Sequence, residues 1–405
     1  MISAVWRVGG TIIVWSTVLL LVLLPALLGS LASIISVLLA LLLLPLLLNG
    51  AARRGIWQQP AMSIFILVFC AMLGCYALTA RDPGNMLYGS ALLALPLAPL
   101  VYVAMPGWGV EKPALLLAAL CVAGTVISAL VAANSAFLVG SERAVGFLMG
   151  PNVLARIALL LAFLGLSGLL LTQSPLRYLF YLGPLSAAFV LVLTGTRGAV
   201  LALPVMAAIL AGLLLTDVRE RKHVLALVGL SIAGGVLVLL NSSRFDALWS
   251  VLSDVLSGAA SSDGATSERL RMLEGAWGAF LHSPWIGYGW ANFKPAAALA
   301  MDMTPYGTEP GGAFQFHNDF ANFAVAAGVI GILALVAILV APVVGVLIGP
   351  RDRYFRARLY CCLQLSVSYL VFGLTDFTLG YDLPTTLYAF LTAMILGGFR
   401  ERPAA

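Results

Sequence analysis

Long apolar runs alternate with short polar turns along the whole chain, and only one polar interval is long. Runs able to cross a hydrocarbon core of about 30 Å fall at approximately 8–28, 31–48, 61–79, 86–105, 113–136, 153–172, 176–194, 199–216, 223–240, 320–348, 359–376 and 384–398. This pattern predicts an all-α polytopic membrane protein of about twelve transmembrane helices. Residues 1–240 hold the first nine spans, 241–319 form a large extramembrane loop, and 320–405 hold the last three spans and a tail.

A structureless loop of that length is unusual in a compact protein, so a folded or functional role is expected for it. Within it, ERLRMLEGAWGAFLH predicts a helix with Leu270, Leu273, Ala276, Trp277 and Phe280 on one face and Arg269, Arg271 and Glu274 elsewhere. The loop continues through HSPWIGYGWANF and closes on FQFHNDF, where hydrophobicity resumes.

Composition agrees. The 405 residues are 61% hydrophobic and 10% charged, with a mean hydropathy of +1.03, whereas soluble domains carry about 25% charged residues. The first run follows MISAVWR and passes into the second without a small-residue cleavage site, which reads as a retained helix. The net charge of +5 matters by its distribution. With both termini cytoplasmic, fourteen of the 22 basic residues fall on the inner side, concentrated in DVRERKH and GPRDRYFRAR. That is the positive-inside pattern, and it places the long loop outside. The basic residues therefore suggest no nucleic-acid partner. The five cysteines all lie in apolar runs, so neither disulfides nor a thiolate metal site is expected.

A transporter also fits many spans, but it should place ionisable groups or broken helices near the bilayer midplane. Here the span interiors are nearly free of charge, with Arg156 and Asp376 each close to the end of a run. The unusual polar residues gather at the outer ends. Arg197 lies in the TGTRG break between two spans, where flanking glycines permit close approach and a guanidinium fork suits phosphate oxygens. The plain alternative is an interfacial anchor. Arg269 and Arg271 sit two residues apart on the loop helix, so a rigid helix does not turn both toward one ligand. Arg143, in SERAVGFLMGPN, has a similar claim to an anionic ligand.

His317 is the most informative residue. Of the three histidines, His223 opens an inner span end and His282 follows the loop helix as a C-terminal cap, whereas His317 stands among Phe314, Phe316 and Phe320 at the mouth of a span. There it is a candidate for proton transfer or leaving-group contact. Asn318 and Asp319 are placed to fix its tautomer or to cap the next helix. No HExxH, DxD or Walker pattern occurs, so no metal or cofactor is expected.

TGTRG, SERLRMLEG, HSPWIGYGWANF and FQFHNDFANFAVAAGVIG together resemble the O-antigen ligase and polymerase superfamily of bacterial membrane glycosyltransferases. The resemblance covers most of the chain. It implies a GT-C-like fold and a periplasmic site in the inner membrane. Arg197, Arg269 and His317 are similar to the family's essential residues, with Arg143, Arg271 and Asn318 as further substrate contacts. Thr196 stands where a serine often precedes the arginine, and Leu273 where a tryptophan often follows the loop arginine. The implied partners are an undecaprenyl-diphosphate-linked O-antigen donor, a lipid A-core acceptor and membrane lipid. Ligase activity, with inversion and without a metal, is the favoured expectation. A polymerase, a protein O-oligosaccharyltransferase and a lipid-linked glycan transporter are the alternatives.

Overall fold

A computed structural model describes residues 2–80, 89–105, 112–214, 221–222, 229, 264–290 and 315–399. Among these, eight helices are long and apolar enough to cross a membrane, and regular structure is helical apart from two isolated bridges. The protein is an all-α, multi-pass membrane protein. Except for residue 229, the expected span at 223–240 lies outside the described residues, as does most of the long loop.

The helices that build the site are α1 (Pro60–Thr79), α2 (Ala94–Ala104), α3 (Pro113–Ala133), α4 (Pro151–Gly165), α5 (Leu182–Thr194), α6 (Arg197–Val200), α7 (Ala202–Leu214), α8 (Gly264–His282), α9 (Asp319–Leu347), α10 (Phe355–Thr375) and α11 (Asp382–Gly398). Proline occupies the first helical turn of α1, α3 and α4. Its missing N–H would have had no intrahelical partner there, and its fixed φ suits the helix start.

Two helices lie at the centre. The apolar window of the span Pro151–Leu171, which contains α4, is 89% buried, against 28–61% for the other spans. Every residue of α11 from Leu383 to Gly398 is buried. Around them α5 packs on α3 and α4, α9 on α1 and α10, and α11 on α2. Lipid tails are as apolar as leucine, so close backbone approach contributes much of the association. A Cβ at Gly397 would lie 2.7 Å from the Tyr102 carbonyl oxygen, which shows how near α11 and α2 come.

Helix α9 is broken at Ala327 and Gly328, whose dihedrals leave the helical region (φ −144°, ψ 20° and φ 61°, ψ −143°). The break divides it into a short arm, 319–326, and a span, 328–347, of about 20 residues, the length a bilayer core requires. Breaking a helix strands backbone groups that must find partners elsewhere. The segment after α8 supplies them. Val325 and Ala326 carbonyls accept from the Tyr288 and Gly289 N–H groups, each at 2.9 Å, and the Pro284 carbonyl accepts from Val329 N–H at 2.7 Å. Gly287 and Gly328 both have positive φ, and added side chains at either would strike the backbone of the other segment. Trp290 then packs among Tyr76, Phe323 and Phe377, with ring centroids 6.1, 5.3 and 5.7 Å away.

The loop helix forms, as the sequence predicts, but its faces differ from the expected ones. Helix α8 packs on α9 and buries Gly275, Ala276 and Ala279, with Met272 half-buried. Leu270, Leu273 and Trp277 are exposed. Residue size explains the reversal, since glycine and alanine let two backbones approach where leucine and tryptophan would hold them apart.

Candidate active site

A cavity of about 360 Å³ opens where the starts of α4, α9 and α11 meet the end of α10. Arg143, Asn152, Gln315, His317, Asp376 and Tyr381 are among its lining residues.

The sequence FQFHNDF assigns each residue a different task. Phe316 is buried, and its N–H donates to Asn322 Oδ1 at 3.0 Å. Asn318 caps α9, its Oδ1 accepting from Ala321 N–H at 3.0 Å, while its Nδ2 donates to the Leu374 carbonyl at 3.1 Å. Asp319 points inward and accepts from the N–H groups of Thr378 and Leu379 at 2.7 and 3.1 Å. Held between these fixed neighbours, His317 takes a left-handed backbone conformation, φ 49°. That conformation is uncommon for a residue with a side chain and persists where the surrounding structure over-determines the backbone. It leaves the imidazole about one-third exposed at the cavity wall.

The partner of His317 is Asp376, not Asp319. His317 Nδ1 lies 2.6 Å from Asp376 Oδ1. The other oxygen, Oδ2, accepts from Arg156 NH2 at 2.6 Å and from Asn152 Nδ2 at 3.0 Å, and Phe377 N–H donates to Oδ1 at 2.9 Å. Arg156 spreads its second NH group over the Phe377 carbonyl and Thr378 Oγ1, both at 3.2 Å. Burial pushes the Asp376 carboxyl up, but the His317 hydrogen bond, the Arg156 guanidinium and the Phe377 N–H outweigh it and hold the carboxyl well below the usual carboxylate range. An ionised carboxylate only accepts hydrogen bonds, so Nδ1 of His317 carries the proton and Nε2 remains for a ligand.

Arg143 closes the network from the other side. Its Nε donates to the Thr194 carbonyl at the end of α5, and its NH2 donates to Asn152 Oδ1, both at 2.8 Å. Thr196 Oγ1 reaches the same Asn152 oxygen at 3.4 Å. The chain therefore runs Arg143, Asn152, Asp376, His317, with Arg156 beneath. Asp382 also lines the cavity, so the wall carries charges of both signs.

The remaining candidates stand apart from this cluster. Arg197 opens α6 after Gly195, which ends α5 in the left-handed conformation. Its neighbour Gly198 lies so close to α10 that a Cβ there would be 2.7 Å from Thr375 Oγ1, one residue from Asp376. The backbone of Arg197 is thus beside the site, while its side chain is outside the cavity lining. Arg269 and Arg271 are exposed on α8, and neither lines the cavity. Phe314 lies outside the described residues.

Sequence reasoning missed the buried pair Arg156–Asp376 as part of the site. The signal was present, since two opposite charges at the ends of otherwise uncharged runs must pair if they are buried. What was hidden was their spatial adjacency, 220 residues apart in the chain. Among the described residues, no group of three or more His, Cys, Asp and Glu side chains is placed to hold a metal ion.

Residues 182–336 match the O-antigen ligase family. The matched stretch runs from the start of α5 into α9 and includes Arg197, Arg269, Arg271, His317 and Asn318, while Arg143, Arg156 and Asp376 lie outside it. The match supports an enzymatic, ligase-type glycosyltransferase function in this membrane protein. No curated protein shows significant similarity to the chain.

Proposed function

We propose, with the O-antigen ligase match over residues 182–336 as premise, that this protein transfers a glycan from undecaprenyl diphosphate to a sugar hydroxyl of lipid A-core. The proposal includes a periplasmic site in the bacterial inner membrane, cytoplasmic termini, a GT-C-like arrangement of about twelve spans, inversion, and independence from metal ions. The observation that carries it is the 2.6 Å contact of His317 with the buried Asp376 at the wall of a cavity that Arg143 also lines.

In the proposed reaction the acceptor oxygen attacks the anomeric carbon as the bond from that carbon to the diphosphate oxygen breaks. The acceptor proton passes to His317 Nε2, and the electron pair of the broken bond leaves on undecaprenyl diphosphate. Asp376 favours this direction, because a carboxylate at Nδ1–H stabilises the imidazolium that forms. One displacement inverts the anomeric centre and requires no nucleophilic side chain. Guanidinium groups of Arg197 and Arg269, with Arg143 and Arg271 as binding contacts, take up the diphosphate charge. Asn318 holds the turn that presents His317.

Two measurements test this reading. Deleting and restoring the gene should abolish and recover glycan on lipid A-core while polymerised lipid-linked glycan persists; a failure to lengthen repeats would instead identify a polymerase. Transfer from purified lipid-linked donor should continue in chelator and should fall sharply when Arg197 or Arg269 is replaced by alanine, and substantially even with lysine. Near-normal turnover in both alanine variants would reject the arginine clamp.

A further inference from the structure

Helix α8 and the segment after it carry an apolar face that the fold leaves uncovered among the described residues. Leu270, Leu273, Trp277 and Leu281 recur at helical spacing and lie opposite the buried Gly275, Ala276 and Ala279. Trp277 is 62% exposed, and Trp285, which follows the helix, is 72% exposed beside Ile286. Charged residues border the stripe, with Arg269 on one side and Glu274 and Arg271 on the other. In water such a face would be a liability.

Its position along the bilayer normal follows from the break in α9. The span 328–347 has about the 20 residues that cross a hydrocarbon core, so Gly328 marks one edge of that core. The Tyr288 and Gly289 N–H groups donating to the Val325 and Ala326 carbonyls, and Val329 N–H donating to the Pro284 carbonyl, fix the loop at that edge. Trp285 and Ile286 are therefore carried to the boundary between acyl chains and headgroups, where tryptophan concentrates. A helix with one apolar stripe flanked by charges is suited to lie in the same plane.

We infer that this face, from Leu270 to Ile286, is a membrane anchor seated in the headgroup–acyl boundary of the leaflet nearest the cavity, and that its occupant is the phospholipid bilayer. The loop helix then rests on two supports, the broken span and the lipid surface. This inference stands on the membrane fold and the loop geometry and is separate from the assignment of the transfer reaction.

The test places single spin-labelled cysteines at positions 277, 281, 285 and 274 of the full chain, in a background whose five native cysteines are replaced, reconstituted in phospholipid vesicles. At 277, 281 and 285 the label should collide several-fold more often with oxygen than with a water-soluble nickel chelate, and the order should reverse at 274. Nickel in excess at 277, 281 and 285 would show a face in water and overturn the inference. Low collision rates with both reagents would show the face covered by protein, whether another segment of this chain or a second copy, and would overturn it equally. If the cysteine-free background does not fold, the native chain serves instead. Phospholipids brominated high on the acyl chain should then quench part of the tryptophan fluorescence, and Trp277→Phe and Trp285→Phe should each remove part of the quenched component. No loss in either variant would overturn the inference.

Discussion

His317 Nδ1 sits 2.6 Å from Asp376 Oδ1, joining the start of one span to the end of another. The two residues are 59 positions apart, and the carboxylate is itself pinned by Arg156, Asn152 and the Phe377 N–H. A histidine held this way has a fixed ring orientation and a fixed tautomer. Both matter for the proposed transfer of a proton from an acceptor hydroxyl to Nε2.

Replacing His317 by glutamine keeps a hydrogen-bonding group and removes the acid–base range, so single-turnover transfer should fall by about 10²–10⁴-fold. Donor binding should change much less. Asp376→Asn should also depress turnover, because an amide no longer holds Nδ1 as the protonated nitrogen. Donor binding and single-turnover transfer, measured separately at saturating acceptor, check both; normal chemistry in His317→Gln would reduce the residue to positioning.

The depressed Asp376 carboxyl predicts a pH dependence of stability. A carboxyl held below its unfolded value of about 3.9 contributes stability that is fully present above that value and is lost as pH falls through the folded one. The difference in melting temperature between wild type and Asp376→Asn should therefore be flat through the neutral range and narrow only under strong acid. A gap that opens as pH falls would contradict the assignment.

Arg156 and Asp376 are both buried, at 6% and 8% side-chain exposure. Removing one partner leaves an uncompensated charge, so Arg156→Met should destabilise the protein by about 3–5 kcal/mol. The double variant Arg156→Met with Asp376→Leu should recover much of that loss while transfer stays low. Melting curves of the four proteins of the cycle give the coupling directly.

Gly328 has φ 61°, and a side chain there would meet the Pro284 and Trp285 backbone. Gly328→Ala should therefore displace the loop from the break in α9, with a cost of about 1–3 kcal/mol for the strained conformation alone. Amide hydrogen exchange should show faster exchange at Tyr288, Gly289 and Val329, whose N–H groups make the three docking bonds.

Much of the architecture was legible in the chain because one solvent dictates it. In a bilayer every backbone polar group must be satisfied internally, so a long apolar run has only the helix available to it. Asn318, which the sequence offered as a cap, does cap the following helix. The loop helix was visible over 268–282 from its periodicity, four residues short of the start that the structure gives it, and His317 lies at the start of a span where the sequence places it.

Three features required tertiary structure. Which face of α8 packs was decided by how closely two backbones can approach, and periodicity alone favours the large residues that the fold leaves outside. Asp319 is adjacent to the histidine in sequence, yet Asp376 is its partner, because the α9 arm turns Asp319 inward to the Thr378 and Leu379 N–H groups. The break at Ala327–Gly328 lies in an unremarkable apolar run, and it exists because the loop 284–290 returns the hydrogen bonds that the broken helix gives up. Long apolar runs marked the membrane-crossing helices, eight of which are long and apolar enough among the described residues. The site depends on contacts between span ends far apart in the chain, and no local pattern encodes which ends will meet.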